Sequence, residues 1–399
     1  MLEKKVKETS TKMRDCRKMI DELKKEPETY AYIQSFIQEK ADMFIAVREN
    51  YINIYYLGAS LAKIKFNKKN QIVFELHKKY MGIDKAGYMS LSWKEHKENL
   101  DKIKENINKI AFHSDKKQND VHVVHGKVTR EKICQQWIIN NNNMSDGEWY
   151  YVDMEYTMKN IPSGRFDMIA IKRKANENGQ HQVAVIELKI GNGSYPGMND
   201  KLYTSHADQY KDIKENSLYA YQTKETYVSF GSGLVGHLCD YMRFLNAKHY
   251  NHLRQEIVYQ IESLKRLGVL SETDRVAKIT NTEMLSDKPE IYFVSFSHVP
   301  KIAGDKPQTI EQMKRSFYKY MYSTSNESVE GESEIIKCSE YSAENLLNTK
   351  EIEGLLQIRH QFLSMVNPCF ELEIGGEKYK FNCRFVDANK EKVWDCLYT

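Results

Sequence analysis

The chain has 399 residues, of which 41% are hydrophobic and 29% are charged, and its formal net charge at pH 7 is +4. This length and composition predict a globular protein of about two or three domains and exclude a disordered chain. The mild positive charge neither requires nor excludes a nucleic-acid partner.

The N-terminal segment and the cysteines both predict a cytoplasmic protein without a membrane partner. The opening residues MLEKKVKETSTKMRD lack the apolar stretch of a secretory signal, and no later stretch reaches the roughly 18 apolar residues of a membrane span. The 7 cysteines are scattered and include no Cys-x-x-Cys pair, which argues against a disulfide framework and a zinc site. We expect them to be reduced and mostly structural.

Residues 1–126 predict an N-terminal α+β domain. Two helices are expected at 8–25 and 28–48, with Pro27 between them. Strands are expected at 51–58, 60–66 and 71–77, followed by a helix at 92–112 and a linker at 114–126. One hairpin concentrates Lys63, Lys65, Lys68 and Lys69, which form either a solvated tip or a phosphate contact. We expect this domain to serve recognition, regulation or assembly with another copy or a partner protein.

Residues 127–300 predict a mixed sheet covered by helices. The order is helix, three strands, helix and a last strand, at 129–140, 148–157, 165–172, 182–190, 201–222 and 290–296. Helical segments at 234–266 and 272–286 form an insertion at 234–286. Residues 301–399 predict a C-terminal extension with helices at 307–321 and 342–366, a loop at 323–334, and a hairpin around a Gly-Gly turn.

Two of these strands carry charged residues where a buried strand normally has none. Period-two alternation puts Asp167 on a face of FDMIAI, and Glu187 and Lys189 on one face of VAVIELKIG. If the strands pair, the carboxylates converge, and two half-buried carboxylates stay ionised only with a cation between them. Mg²⁺ suits such a site because it binds through few carboxylates and leaves room for phosphate oxygens. The alternative without a metal or a catalytic role is a salt bridge on a solvated edge strand.

At these residues the chain resembles the PD-(D/E)XK nuclease superfamily, whose core has the order α-β-β-β-α-β and uses Asp and Glu-x-Lys. The segment TREKICQQWIINNNN is similar to the family's opening helix, with Glu131 and then Gln135 one turn later. DMEYTMKNIPSGRFDMIAI is similar to its second and third elements and adds Glu155, while HADQYKDI is similar to a Gln/Tyr element with Gln209 and Tyr210. Phe166 stands where the family's name has proline. The resemblance covers residues 127–222 and 290–296, and it is strongest to bacterial defence and repair nucleases such as the Shedu type.

The resemblance implies a restriction-endonuclease-like core and a role for each matching residue. Asp167, Glu187 and the backbone carbonyl of Leu188 would bind Mg²⁺, for which Mn²⁺ substitutes. Lys189 would position or activate the attacking water, Glu131 would hold a second ion or a water, and Gln209 would orient the lysine or a phosphate. The implied function is a nuclease, a DNA endonuclease first of all, with antiviral defence implied by the resemblance alone.

Several alternatives stay open on sequence. His206 and His237 lie near the motif, but a lone helical histidine is more often structural, and Glu155 is evenly balanced between an exposed acid and a site residue. A non-catalytic nucleic-acid-binding or scaffold protein with a nuclease-like fold is one rival function. An RNase on the same scaffold is another, since the attacked group is the same phosphodiester.

Overall fold

The computed structural model describes residues 14–39, 41–112, 130–144, 147–158, 164–190, 202–204, 220–222, 226–229, 234–299, 308–314, 334–336, 369–374, 376–389 and 394–397. Over these residues the protein is a mixed α/β structure with an antiparallel five-stranded sheet, a mixed six-stranded sheet and a small four-stranded sheet. No helix in these ranges is both long and apolar enough to cross a membrane.

The five-stranded sheet is an antiparallel meander preceded by two helices. The helices are α1 (Arg17–Leu23) and α2 (Pro27–Gln38), and the strands are β1 (Met43–Arg48), β2 (Tyr51–Tyr56), β3 (Ala59–Phe66), β4 (Ile72–His77) and β5 (Tyr88–Leu91). The three predicted strands are confirmed, whereas the helix predicted over 28–48 is wrong at its end, where β1 begins. All of β1 is buried, and a short run that is apolar on every face does not distinguish a strand from a buried helix.

The helix predicted over 92–112 is confirmed but consists of α3 (Trp93–Glu98) and α4 (Leu100–Phe112). Ser92 and Glu95 form a capping box at the start of α3. His96 of α3 is fully buried, with Nδ1 2.8 Å from the Tyr32 hydroxyl and Nε2 3.3 Å from the Leu61 carbonyl oxygen. Because Nε2 must donate to the carbonyl, the buried ring is the neutral tautomer with its proton on Nε2.

The six-stranded sheet contains the strands predicted for the central region. Helix α5 (Arg130–Met144) precedes β6 (Trp149–Thr157), β7 (Arg165–Lys172) and β8 (Val183–Ile190), which form an antiparallel run. A later strand, Glu290–Phe296, pairs with β8 in the parallel direction. All four predicted strands and the helix at 129–140 are thus confirmed.

The helix predicted over 201–222 is wrong at both ends. Residues there form β9 (Leu202–Thr204) and β10 (Ala220–Gln222), which join β11 (Thr226–Ser229) and a later strand in the small sheet, while residues 205–219 lie outside the described part of the chain. These short segments contain tyrosine and β-branched residues, which favour strands.

The inserted region contains two long helices and no third one. Helices α6 (Leu234–Asn246) and α7 (Tyr250–Leu267) confirm the prediction over 234–266. The helix predicted over 272–286 is wrong, because this segment has only short 3₁₀ turns at Arg275–Lys278 and Thr282–Met284. The side chains of Asp274 and Asn281 accept backbone N–H bonds at the start of these turns, a local alternative that competes with helix propagation.

The C-terminal region completes two of the sheets. After β12 (Glu290–Phe296) come β13 (Glu334–Ile336) in the small sheet, then β14 (Cys369–Ile374) and β15 (Glu377–Val386). The predicted hairpin is confirmed as β14 and β15, and β15 adds parallel to β12, giving the order β14-β15-β12-β8-β7-β6. Residues 310–314 are helical within the helix predicted over 307–321. The predicted linker at 114–126 and the helix at 342–366 lie outside the described residues.

The two large sheets share one hydrophobic core. Residues on one face of β7 and β8 pack with α6, α7 and the interior of the five-stranded sheet, while α5 covers the other face. A buried ion-pair network crosses this junction, where Asp153 of β6 binds both Arg14 and Arg48. Where the chain divides into domains, at residues 126 and 300, stays a prediction.

Candidate metal centre

Strands β7 and β8 bring Asp167 and Glu187 together. Met168 pairs with Ile186 in the antiparallel register, so extending the register by one residue sets Asp167 opposite Glu187. The backbone hydrogen bonds between β7 and β8 end at this point. The Leu188 N–H donates to Asp167 Oδ2 over 2.7 Å, and so it bonds a side chain instead of the β7 backbone. The N–H and carbonyl of a strand residue point to the same side, so the Leu188 carbonyl also faces the Asp167 side.

Glu131 joins the two strand carboxylates from the first turn of α5. One carboxylate oxygen each of Glu131, Asp167 and Glu187 lies within 4.8 Å of the other two. Glu131 and Asp167 are close enough to hydrogen bond through their carboxyl groups. The three residues come from two paired strands and a helix, so regular secondary structure positions all three carboxylates. Gln135, one turn further along α5, is fully buried, and its amide atoms have no hydrogen-bond partner among the described residues.

Lys189 lies against these carboxylates. Its Nζ atom is 2.6 Å from Glu187 Oε1 and 4.0 Å from Glu131 Oε1, and its side chain is 9% exposed. Lys189 follows Glu187 by two residues, so both side chains leave β8 on the same face. The structure therefore brings together Glu131, Asp167, Glu187 and Lys189, four residues that the sequence had selected.

Helix α6 supplies two further groups that hold Glu187. His237 Nε2 lies 3.1 Å from Glu187 Oε1, and the buried Tyr241 hydroxyl donates to Glu187 Oε2 over 2.8 Å. Residues four apart share a helix face, so one turn of α6 contacts both oxygens of this carboxylate. Sequence reasoning kept His237 as a minor candidate and missed Tyr241, although the spacing HxxxY was readable.

Glu155 borders the cluster but points to a different partner. It lies opposite Asp167, between the Met154–Met168 and Tyr156–Phe166 pairs of β6 and β7, and has a left-handed φ of +53°, which is uncommon for a residue with a side chain. Its carboxylate forms an ion pair of 2.8 Å with Lys132, the neighbour of Glu131. Glu155 is therefore a flanking acid and not a member of the three-carboxylate cluster.

The electrostatics of the cluster show a charge imbalance. Burial, with Glu187 and Glu131 nearby, raises the pKa of Asp167 well above its usual value. Burial also raises the pKa of Glu131. It acts in the same direction on Glu187, but His237 and Lys189 outweigh it and lower that pKa. Three carboxylates facing one lysine ammonium have a formal charge of −2, which disfavours their simultaneous ionisation.

A divalent cation fits this set of groups. A charge of 2+ offsets the formal −2, and the donors available are carboxylate oxygens and one backbone carbonyl, the hard ligands that Mg²⁺ and Mn²⁺ take. The cluster includes no cysteine, and His237, although 3.1 Å from Glu187 Oε1, is not among the three residues whose ligand atoms lie within 4.8 Å of one another. An oxygen-lined cation site is the arrangement that these residues favour.

Three sequence candidates, His206, Gln209 and Tyr210, lie outside the described residues. Comparison with known proteins adds no further information about the site, because no protein-family model, curated protein or solved structure matches this chain. The chemistry of the site therefore has to follow from its own geometry.

Proposed function

We propose that this protein is a metal-dependent nuclease that hydrolyses phosphodiester bonds, with duplex DNA cut internally as the leading substrate and Mg²⁺ as the cofactor. The observation that carries this proposal is the buried cluster in which the carboxylates of Glu131, Asp167 and Glu187 lie within 4.8 Å of one another and Lys189 lies 2.6 Å from Glu187. The strand-borne Asp and Glu-x-Lys set, preceded by a helix with a glutamate, is the pattern that resembles PD-(D/E)XK nucleases.

Each residue of the cluster has a role in the proposed reaction. Asp167, Glu187 and the Leu188 carbonyl would hold the cation, with Glu131 holding a second ion or a water. When bound, Mg²⁺ polarises a phosphate oxygen and lowers the pKa of a coordinated water. His237 and Tyr241 fix the orientation of Glu187 through its two oxygens, which keeps the donor atoms in place before the cation arrives.

Lys189 acts as a cation in this scheme. Burial opposes its charged form, but Glu187 and Glu131 outweigh burial and raise the pKa of Lys189. A lysine that keeps its proton is a poor general base and a good donor to the oxygens of a phosphate that gains negative charge during attack. The proposed contribution of Lys189 is therefore to stabilise that charge and to orient the attacking water.

The burial of the cluster argues against an ordinary surface salt bridge. Glu187 and Lys189 are 3% and 7% exposed, whereas a solvated edge pair would be open to water. An ion pair of Glu187 and Lys189 alone would have no net charge, whereas two further carboxylates, those of Glu131 and Asp167, lie beside it. Buried titratable groups with strongly perturbed pKa values cluster at functional sites, which favours a functional role for this cluster.

The test is cleavage of circular and linear duplex DNA, single-stranded DNA and RNA with Mg²⁺, Mn²⁺ or EDTA. Lys189→Ala should lose cleavage in every metal condition, because the phosphate charge is then uncompensated. Lys172→Ala is the matched control, since Lys172 lies at the far end of β7 and pairs with Glu148. Cleavage by Lys189→Ala at the unsubstituted rate would contradict the role of Lys189. No cleavage of any substrate, with metal binding intact, would favour a non-catalytic protein, and cleavage of RNA alone would favour the RNase.

A further inference from the structure

A cleft of about 490 Å³ lies between the five-stranded sheet and the edge strand β6. One wall is the polar face of β2 and β3, and the other includes Thr157 and Glu155 of β6 with Lys132 of α5. The volume falls in the range of small-ligand pockets, roughly 300–1,000 Å³. None of the residues assigned to the cation cluster lines it.

The sheet face that lines the cleft is rich in tyrosine. Tyr51 and Tyr55 alternate along β2 with Ile52 and Ile54, which are fully buried on the other face of the sheet. At the mouth, Tyr88 of β5 is 44% exposed although it is a large aromatic residue. Tyr55 is itself buried, so Tyr88 is the most accessible aromatic ring that lines the cleft. An accessible aromatic ring beside a groove is a platform on which a nucleic-acid base can stack.

Most charges around the cleft have partners. Arg14 and Arg48 bind the buried Asp153, and Lys132 pairs with Glu155 at 2.8 Å. Lys63 differs, because it has no carboxylate partner among the described residues. Its Nζ atom instead lies 4.4 Å from the centroid of the Tyr88 ring. The mouth of the cleft therefore combines one unneutralised ammonium with one accessible aromatic ring.

We propose that this cleft binds a single nucleotide unit, with its base on Tyr88 and its phosphate at Lys63. One unpaired cation matches one phosphate, whereas a duplex or a triphosphate would bring more negative charge than the cleft offsets. The unit is either a free nucleotide or the terminal nucleotide of a single strand, which share this chemistry. The inference stands independently of the cation cluster, because binding here needs no hydrolysis.

The test is equilibrium binding in EDTA, so that no cleavage interferes. The probes are nucleoside monophosphates, followed by calorimetry, and a fluorescent single-stranded oligonucleotide, followed by anisotropy. Tyr88→Ala should weaken binding roughly 5-fold or more, the effect of losing one stacked base. Lys63→Ala should weaken it and reduce the dependence of binding on salt by about one phosphate contact. Lys68→Ala is the matched control, because this exposed lysine lies in the turn after β3.

The two probes distinguish the sources of the nucleotide. Binding of monophosphates that is lost in both cleft variants identifies a free nucleotide as a ligand. Binding of the oligonucleotide alone, with the same loss, identifies a strand end. The proposal is overturned if neither probe binds, or if Tyr88→Ala and Lys63→Ala bind like Lys68→Ala. Retained metal-dependent cleavage in that case would leave the proposed nuclease standing while the cleft assignment fails.

Discussion

The charge imbalance of the cation cluster predicts that Asp167→Asn stabilises the metal-free protein. At 4.8 Å, two like charges repel by about 3 kcal/mol with an effective dielectric constant near 20. Asp167 faces two such carboxylates, Glu131 and Glu187, and attraction to Lys189 offsets about one of them. The variant should therefore gain about 1–3 kcal/mol in EDTA, less where Asp167 is already protonated. The asparagine keeps an oxygen that accepts the Leu188 N–H, so the strand end stays bonded.

The assay is thermal denaturation in EDTA and in Mg²⁺. In EDTA, the melting temperature of Asp167→Asn should exceed that of the unsubstituted protein by about 1–4 °C. In Mg²⁺ at 100 times its Kd, the unsubstituted protein should gain about 2.7 kcal/mol, and the variant should lose most of this gain. Asp274→Asn is the matched control, because its carboxylate pairs with Arg173 away from the site, and its response to Mg²⁺ should be normal. A lower melting temperature in EDTA with an intact response to Mg²⁺ would refute the reasoning.

Three further predictions concern the structure around the site. Asp153→Ala leaves the buried Arg48 without its carboxylate partner, so the free energy of unfolding, measured with denaturant, should fall by about 3–5 kcal/mol. An unchanged unfolding midpoint would contradict a stabilising role for this buried ion-pair network. Gly58→Ala should lower the free energy of unfolding by at least about 2 kcal/mol in the same assay, because φ at this position is +72° and the new Cβ would meet the Lys132 backbone at 2.5 Å. An unchanged free energy of unfolding would contradict this contact. Burial lowers the pKa of His96 from 6.5 to about 4 in the folded protein. Between these pH values the unfolded chain binds a proton that the folded protein excludes. The free energy of unfolding should therefore fall by about 3 kcal/mol as the pH drops from 6.5 towards 4. His96→Gln should remove that slope from the pH dependence of unfolding, which His298→Gln should retain.

The central strands were predictable because their pattern is local. Alternation in β7 and β8 indicated which side chains share a face, and the antiparallel pairing of adjacent strands then brought Asp167 to Glu187. Glu131 was selected through the resemblance, and the structure sets its carboxylate within the same cluster. A charged residue inside an apolar strand can be recognised from the sequence alone, without knowledge of the tertiary structure.

The remaining features depend on contacts between distant segments. The spacing of His237 and Tyr241 predicts that they share one face of α6, but it does not identify Glu187 as their partner, because the contact between Tyr241 and Glu187 joins residues 54 positions apart. The parallel addition of β15 to β12 likewise joins residues about 90 positions apart, and strand alternation does not identify a partner at that distance. The helix predicted over 272–286 failed for a local reason instead, since the Asp274 and Asn281 side chains bond the backbone at the start of short turns.

The most direct test of the nuclease proposal is incubation of supercoiled plasmid DNA with the unsubstituted protein and with Glu187→Gln, in Mg²⁺ and in EDTA. Glutamine keeps the shape of Glu187 and removes its charge, so the variant isolates cation binding from packing. Nicked or linear DNA is expected only with the unsubstituted protein and only in Mg²⁺. Equal cleavage by Glu187→Gln, or cleavage that persists in EDTA, would contradict the proposal, as would intact plasmid under conditions where Mg²⁺ measurably stabilises the protein.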